Sequence, residues 1–170
     1  DFLKKALADG KIILFVGLTK QSAEAIKTTA ETLNMPYVTN RWLGGTMTNF
    51  KTVTSRVKYL EDLEKQQAEG GFEKFTKKEK ILKEREIAAL RTKFDGIRKM
   101  TRIPDIIFVS SLKESQLPVK EGKKSGLKIV GLVNTDSDPK QIDYPIAAND
   151  NSKRSVELIL EAIKKSLMSA

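Results

Sequence analysis

The sequence predicts an α/β fold: a three-layer, doubly wound, mainly parallel sheet carrying one protruding antiparallel α-helical hairpin. Three observations lead there. Short apolar runs bounded by Gly or Pro recur along the chain, as strands covered on both faces require. Segments of helical period lie between them, the alternation from which a parallel sheet is built. From 48 to 94 the pattern becomes a long charged helical stretch, broken once at Glu69-Gly70-Gly71-Phe72. The expected organisation is 1–47 as the first part of the α/β domain, 48–94 as the inserted hairpin and 95–170 as the second part.

Each element has its own justification. Asp1-Phe2-Leu3-Lys4-Lys5-Ala6-Leu7 reads as the last turns of a helix ended by Gly10, with no initiator methionine, so a preceding segment is expected. Lys11-Ile12-Ile13-Leu14-Phe15-Val16-Gly17 is a buried strand. Over 22–33, Ala23, Ile26, Ala30 and Leu33 share one helical face. Pro36-Tyr37-Val38 is the next strand, and the β-α-β order implies a right-handed crossover. The first hairpin helix, 48–67, places Val53, Val57, Leu60 and Leu63 along one side. The second, 77–94, offers Ile81, Leu82, Ala88 and Leu90 for a narrow seam. Pro104 introduces the strand Ile106-Ile107-Phe108-Val109, a short helix spans 118–124, and a fourth strand spans 127–133. Tyr144-Pro145-Ile146 fits an edge strand, where proline is tolerated. Asn149-Asp150-Asn151-Ser152 offers caps for a final helix with inner face Val156, Ile159, Leu160, Ile163 and Leu167.

Composition narrows the chemistry. An excess of 31 Lys+Arg over 22 Asp+Glu gives +9, which favours an anionic partner without choosing between nucleic acid and a membrane surface. No apolar run approaches the roughly 20 residues that span a bilayer. Without histidine or cysteine, His-dependent triads, thiolate sites and catalytic zinc are poorly supplied. Gly17-Leu18-Thr19-Lys20 follows a strand, where phosphates often bind, but it matches neither common phosphate-loop pattern and reads better as a plain turn. Asp105, Asp136, Asp138, Asp143 and Asp150 are expected near carboxyl ends of strands, as hard-cation ligands or, more simply, as turn and cap residues. No catalytic residue, metal site or cofactor is assigned, and neither nucleotide hydrolysis nor tight flavin binding is expected.

The stretch Asn40-Arg41-Trp42-Leu43-Gly44-Gly45-Thr46-Met47-Thr48-Asn49-Phe50 joins sheet to hairpin. Gly44 and Gly45 read as a hinge, because paired glycines permit positive φ. Thr48 or Asn49 is placed to cap the following helix. Arg41, Arg98, Lys99 and Arg102 flank the two roots of the hairpin, and Lys51, Arg56 and Lys58 lie on its first turns. Gathered together they would form a phosphate-binding patch, against the simpler alternative of a generic charged surface. Trp42 fits a packing role better than a base-stacking one.

The run 40–51 resembles the signature of the bacterial-type ribosomal protein S2 family, the second protein of the small ribosomal subunit. Phe72-Glu73-Lys74-Phe75-Thr76-Lys77-Lys78-Glu79 matches in order, as does Gly96-Ile97-Arg98-Lys99-Met100 with Pro104-Asp105. Asp136-Ser137-Asp138-Pro139 through Ile142-Asp143-Tyr144-Pro145-Ile146 completes the match. The resemblance implies a flavodoxin-like sheet with a protruding hairpin and a further N-terminal segment. It also implies a non-catalytic, cytoplasmic structural role in translation within the small subunit. Its partners would be small-subunit rRNA and neighbouring ribosomal proteins, with the mRNA-binding protein S1 among them where that exists. On this reading Arg41, Trp42, Thr48, Asn49, Lys51, Arg56, Lys58, Arg98, Lys99 and Arg102 face rRNA. Three segments depart from the family pattern. Ala147-Ala148-Asn149-Asp150 stands where relatives usually have Pro-Gly-Asn-Asp, and Val133-Asn134-Thr135 replaces Val-Asp-Thr. Ser110-Ser111-Leu112-Lys113 lacks an acidic residue that relatives often carry. The alternatives are a nucleotide-binding regulator or enzyme using the sheet edge, and a protein-interaction module using the hairpin alone.

Overall fold

The computed structural model describes residues 2–168. In chain order the elements are α1 (Phe2–Ala8), β1 (Ile13–Val16), α2 (Ala23–Thr32), β2 (Tyr37–Val38), α3 (Phe50–Ala68), α4 (Lys77–Phe94), β3 (Ile106–Val109), α5 (Gln116–Lys124), β4 (Lys128–Val133), β5 (Tyr144–Ala147) and α6 (Lys153–Met168). Short 3-10 turns cover Gly71–Lys74, Asp95–Ile97 and Pro139–Gln141.

The strands form one parallel sheet in the order β2-β1-β3-β4-β5, the flavodoxin-like order expected. Register pairs Phe15 with Tyr37, Ile13 with Ile106, Ile106 with Lys128 and Val130 with Tyr144. Successive side chains of a strand point to opposite faces. Ile13, Phe15, Ile106, Phe108, Val130 and Leu132 therefore meet Ala6, Ile26, Ala30, Val156 and Leu160 on one side. Leu14, Val16, Ile107, Val109, Ile129 and Val133 face the other way and meet Val119 of α5. Among the described residues, α5 is the only domain helix of that second layer. The rest of it is filled by Trp42, Met47, Val53, Val57, Ile97 and Met100, from the segments entering and leaving the hairpin. Hairpin and domain thus share one continuous core, and the seating of the hairpin is set where the insertion begins and ends.

Val53, Val57, Leu60 and Leu63 of α3 are buried as their spacing requires. The seam on α4 differs from expectation. Ile81 and Leu82 are 42% and 53% exposed and Ala88 faces solvent, whereas Ile87 and Phe94 are buried and Leu90 is half-buried. The inward phase runs through 83, 87, 90 and 94, so the Lys83 stem occupies a position that an apolar residue would hold in a longer seam. At the far end, Thr76 starts α4 with a reciprocal cap. Its amide donates to Glu79 Oε2 at 2.8 Å while Glu79 N donates to Thr76 Oγ1 at 3.4 Å.

Candidate nucleic-acid interface

Of the paired glycines expected to act as a hinge, one adopts the positive φ that such a role would use. Gly45 has φ +90, the left-handed region that a β-branched residue resists, whereas Gly44 is exposed, has no positive φ and would place a Cβ in open space. The turn is held by a residue that sequence reasoning missed. Glu121 of α5 is only 6% exposed, and its carboxylate accepts from Gly45 N at 2.7 Å and Met47 N at 3.1 Å. A signal existed in the sequence: Glu121 shares a helical face with Pro118 and Gly122, both buried. A carboxylate in an apolar phase needs donors. Thr46 Oγ1 closes the turn on Leu43 O at 2.6 Å.

The expected cap at Thr48 or Asn49 is replaced by another arrangement. The helix begins at Phe50 with Asn49 at the N-cap position, but the Asn49 side chain accepts the Thr52 hydroxyl at 2.8 Å instead of a backbone amide. Thr48 is exposed within the turn. Trp42 is 5% exposed and packed beneath the turn, so no ring face is free to stack on a base.

Among the cations, Arg98 is committed internally. Its Nη1 and Nη2 donate to Glu64 Oε2 and Oε1 at 2.8 and 2.7 Å, and its Nε lies 2.8 Å from Asp95 Oδ1. Arg91 of α4 holds the same Glu64 carboxylate. One carboxylate on α3 therefore ties together α4 and the returning chain. These hydrogen bonds, Arg98's first, overcome burial and hold the Glu64 carboxyl down at about 2. Arg102 pairs with Asp105 at 3.0 Å, and Lys99 donates to Asn34 Oδ1 at 2.8 Å.

The anticipated single patch is therefore divided. Lys51 and Lys58 border an open groove of about 590 Å³ with Arg98, floored by Phe50, Val53, Val57 and Met100. Arg41 lines a different, smaller cleft with Lys27, Arg91 and Lys93. Arg56 is exposed but lines neither space.

The sheet edge offers less than the aspartates promised. Asp105 and Asp143 precede β3 and β5, so they lie at amino rather than carboxyl ends of strands. Asp105 accepts from Ile12 N at 2.9 Å, and Asp143 from Ile129 N at 3.0 Å and Lys128 Nζ at 2.9 Å. Asp136 pairs with Lys113, and Asp138 caps Lys140 N. No cluster of metal-ligating side chains occurs among the described residues. At the turn after β1, a Cβ on Gly17 would sit 2.7 Å from Ile26 Cγ1, and the amides of Gly17, Ser22 and Ala23 already donate to Val38 O and Thr19 O. A phosphate there would find these donors in use.

Comparison with known proteins decides the family. The sequence model described as Ribosomal protein S2 matches residues 1–170. The chain belongs to the ribosomal protein S2 family. It is 37% identical over 168 residues to the small ribosomal subunit protein uS2 of Helicobacter hepaticus, covering 99% of this chain and 64% of that one. It is 44% identical over 160 residues to the uS2 of Bifidobacterium animalis subsp. lactis, covering 94% and 53%. The uS2 of Leifsonia xyli subsp. xyli is 39% identical over 163 residues, covering 96% and 55%. The chain spans between about half and just under two thirds of the length of these relatives.

Two stretches of this S2-family chain gain physical reasons from the fold. Gly96, where the hairpin rejoins the domain, lies so close to edge strand β2 that a Cβ would fall 2.1 Å from the Tyr37 carbonyl oxygen. Asn134 donates through Nδ2 to the buried Asp150 at 3.0 Å. An aspartate there would set two carboxylates against each other unless a proton or cation intervened.

Proposed function

We propose that this chain is a structural constituent of the small ribosomal subunit, docking on its rRNA and on neighbouring ribosomal proteins without turnover. Membership of the ribosomal protein S2 family is the observation that carries the reading. The geometry supports it. Exposed cations border the hairpin on both its outgoing and returning segments, Lys51 and Lys58 on one side and Arg41 and Lys93 on the other. Cations lining a groove and a cleft at the root of the hairpin suit the sugar–phosphate surface of folded RNA, which is recognised mostly by shape and backbone. Contact with S1, where that protein exists, and residence in the cytoplasm belong to the same reading. The nucleotide-binding alternative loses support because Ile26 packs against Gly17 at the end of β1, and the amides of Gly17, Ser22 and Ala23 are already paired.

The test is binding of the chain to small-subunit rRNA across a salt series. Neutralising Z phosphates gives a log–log slope near roughly −0.9Z on duplex and roughly −0.7Z on single strands. A flat response, or failure to enter small subunits during reconstitution, would overturn the proposal.

A further inference from the structure

The cleft beside β2 is built from three elements. Thr39, Asn40 and Arg41 supply the outgoing arm of the insertion, Arg91, Thr92, Lys93, Asp95 and Gly96 the returning arm, and α2 contributes Lys27. It holds about 120 Å³ and its walls are mostly polar. Asn40 Nδ2 bridges the two arms by donating to Thr92 O at 2.9 Å. Among the described residues lining the cleft the only carboxylate, Asp95, is engaged by Arg98, and Arg91 is engaged by Glu64. Lys27 stands 4.0 Å from Glu31 in a pair more than half exposed on each side, a weak commitment. Among the described residues Arg41 and Lys93 have no ion-pair partner. The Tyr37 hydroxyl is turned to Glu31 at 3.0 Å, and burial together with that carboxylate pushes its pKa up to about 12, so it brings no competing negative charge.

We infer that this cleft is a seat for one backbone phosphate of RNA, held jointly by Arg41 and Lys93 with Lys27 behind them. The inference rests on the RNA-docking reading above and adds the atoms that would carry one contact. A small polar notch with two uncommitted cations suits a tetrahedral oxyanion better than a stacked base. The same chemistry would take free phosphate. The site, however, has exposed cations and no buried anchor, which favours a phosphodiester delivered by a chain already held elsewhere, as at Lys51 and Lys58. Because Arg41 and Lys93 come from opposite arms, the seat exists only while the hairpin is seated. A phosphate bound there would hold the two arms together.

The experiment measures rRNA affinity against salt for the chain and for Arg41→Gln, Lys93→Gln and the double variant, with melting temperature as a folding control. If both cations serve one phosphate, each single variant weakens binding roughly two- to fivefold, as for an exposed charge contact, with little change of slope. The double variant should then lose about 0.7–0.9 of slope, the contribution of one phosphate. A double variant that loses about twice that overturns the shared seat, as does one that matches the parent chain while the parent shows a steep salt response. If the parent itself shows no salt-dependent RNA binding, the RNA reading fails first. In a parallel arm, inorganic phosphate is titrated against the free chain. No saturation at millimolar phosphate is expected, and saturation abolished by Lys93→Gln would assign the cleft to free anions instead of RNA.

Discussion

The Glu64–Arg98 clamp yields a prediction whose size follows from its geometry. Glu64 accepts two parallel hydrogen bonds from the Arg98 guanidinium, the fork geometry that arginine offers a carboxylate, and a further one from Arg91. Its carboxyl is held at about 2 instead of 4.5. At 1.36 kcal/mol per unit that difference would amount to about 3 kcal/mol. The Arg98 and Glu64 side chains are 27% and 19% exposed, so solvent screening lowers the expected coupling to about 1–2 kcal/mol. The perturbation is a double-mutant cycle of Glu64→Gln and Arg98→Gln, read by urea unfolding at pH 7. The sign of the pH effect is fixed. Glu64 titrates lower in the folded chain than in the unfolded one, so its stabilisation is complete above about 4.5 and is lost as pH falls toward about 2. Between pH 5 and 2.5 the parent chain should lose about 1–2 kcal/mol more than Glu64→Gln, whose other carboxylates are unchanged. Parallel pH profiles, or a coupling energy within the few tenths of a kcal/mol typical of independent sites, would refute the clamp.

Three further outcomes follow from the same region. Gly45→Val should cost about 1–3 kcal/mol because of its φ of +90, while Gly44→Ala should stay within about 0.5 kcal/mol, both read as melting temperature; equal effects would refute the single-glycine hinge. Glu121→Ala should cost about 1–3 kcal/mol and speed amide exchange at Gly45 and Met47, whose amides lose their acceptor; unchanged exchange would show that the carboxylate does not hold the turn. Gly96→Ala should lower the melting temperature by roughly 2–4 °C per kcal/mol of a roughly 1–3 kcal/mol overpacking cost; an unchanged value would mean that β2 yields freely.

The sheet was legible because four of its strands carry little but apolar side chains, and glycines or prolines mark where several of them start or stop. The inner face of α3 was legible for a similar reason, since Val53, Val57, Leu60 and Leu63 repeat at helical spacing without competitors. In α4 the most apolar pair, Ile81-Leu82, faces solvent, because the seam is decided by where Phe94 must enter the domain core. Periodicity could not weigh that tertiary demand. The placement of Asp105 and Asp143 at amino ends was already legible, because the strands expected from Ile106 and from Tyr144 begin one residue after each of them, an order that grouping the aspartates at carboxyl ends overlooked. The motif at the hairpin root was visible as a pattern. Its mechanics were not, because they rest on Glu121, which lies 76 residues beyond Gly45 and approaches it only in the fold.

Counting cations along the sequence overstates how many can meet RNA, and the kind of cation tells which ones do not. Around the root, Arg91, Arg98 and Arg102 hold carboxylates. These are places where a planar fork with several donors is better suited than a lysine. Lys51, Lys58 and Lys93 remain outward as flexible point charges, and among the described residues Arg41 and Arg56 are the arginines of the root region without a carboxylate partner, Arg41 lining a cleft. The two groups should respond differently to salt. Exposed lysines meeting a polyanion are strongly screened, whereas a partly buried, bidentate pair is screened much less. Raising salt should therefore release RNA well before it loosens the hairpin, and the seated hairpin would persist as a preformed surface in the free chain. The order of events is set by dielectric environment, since both groups carry the same unit charge.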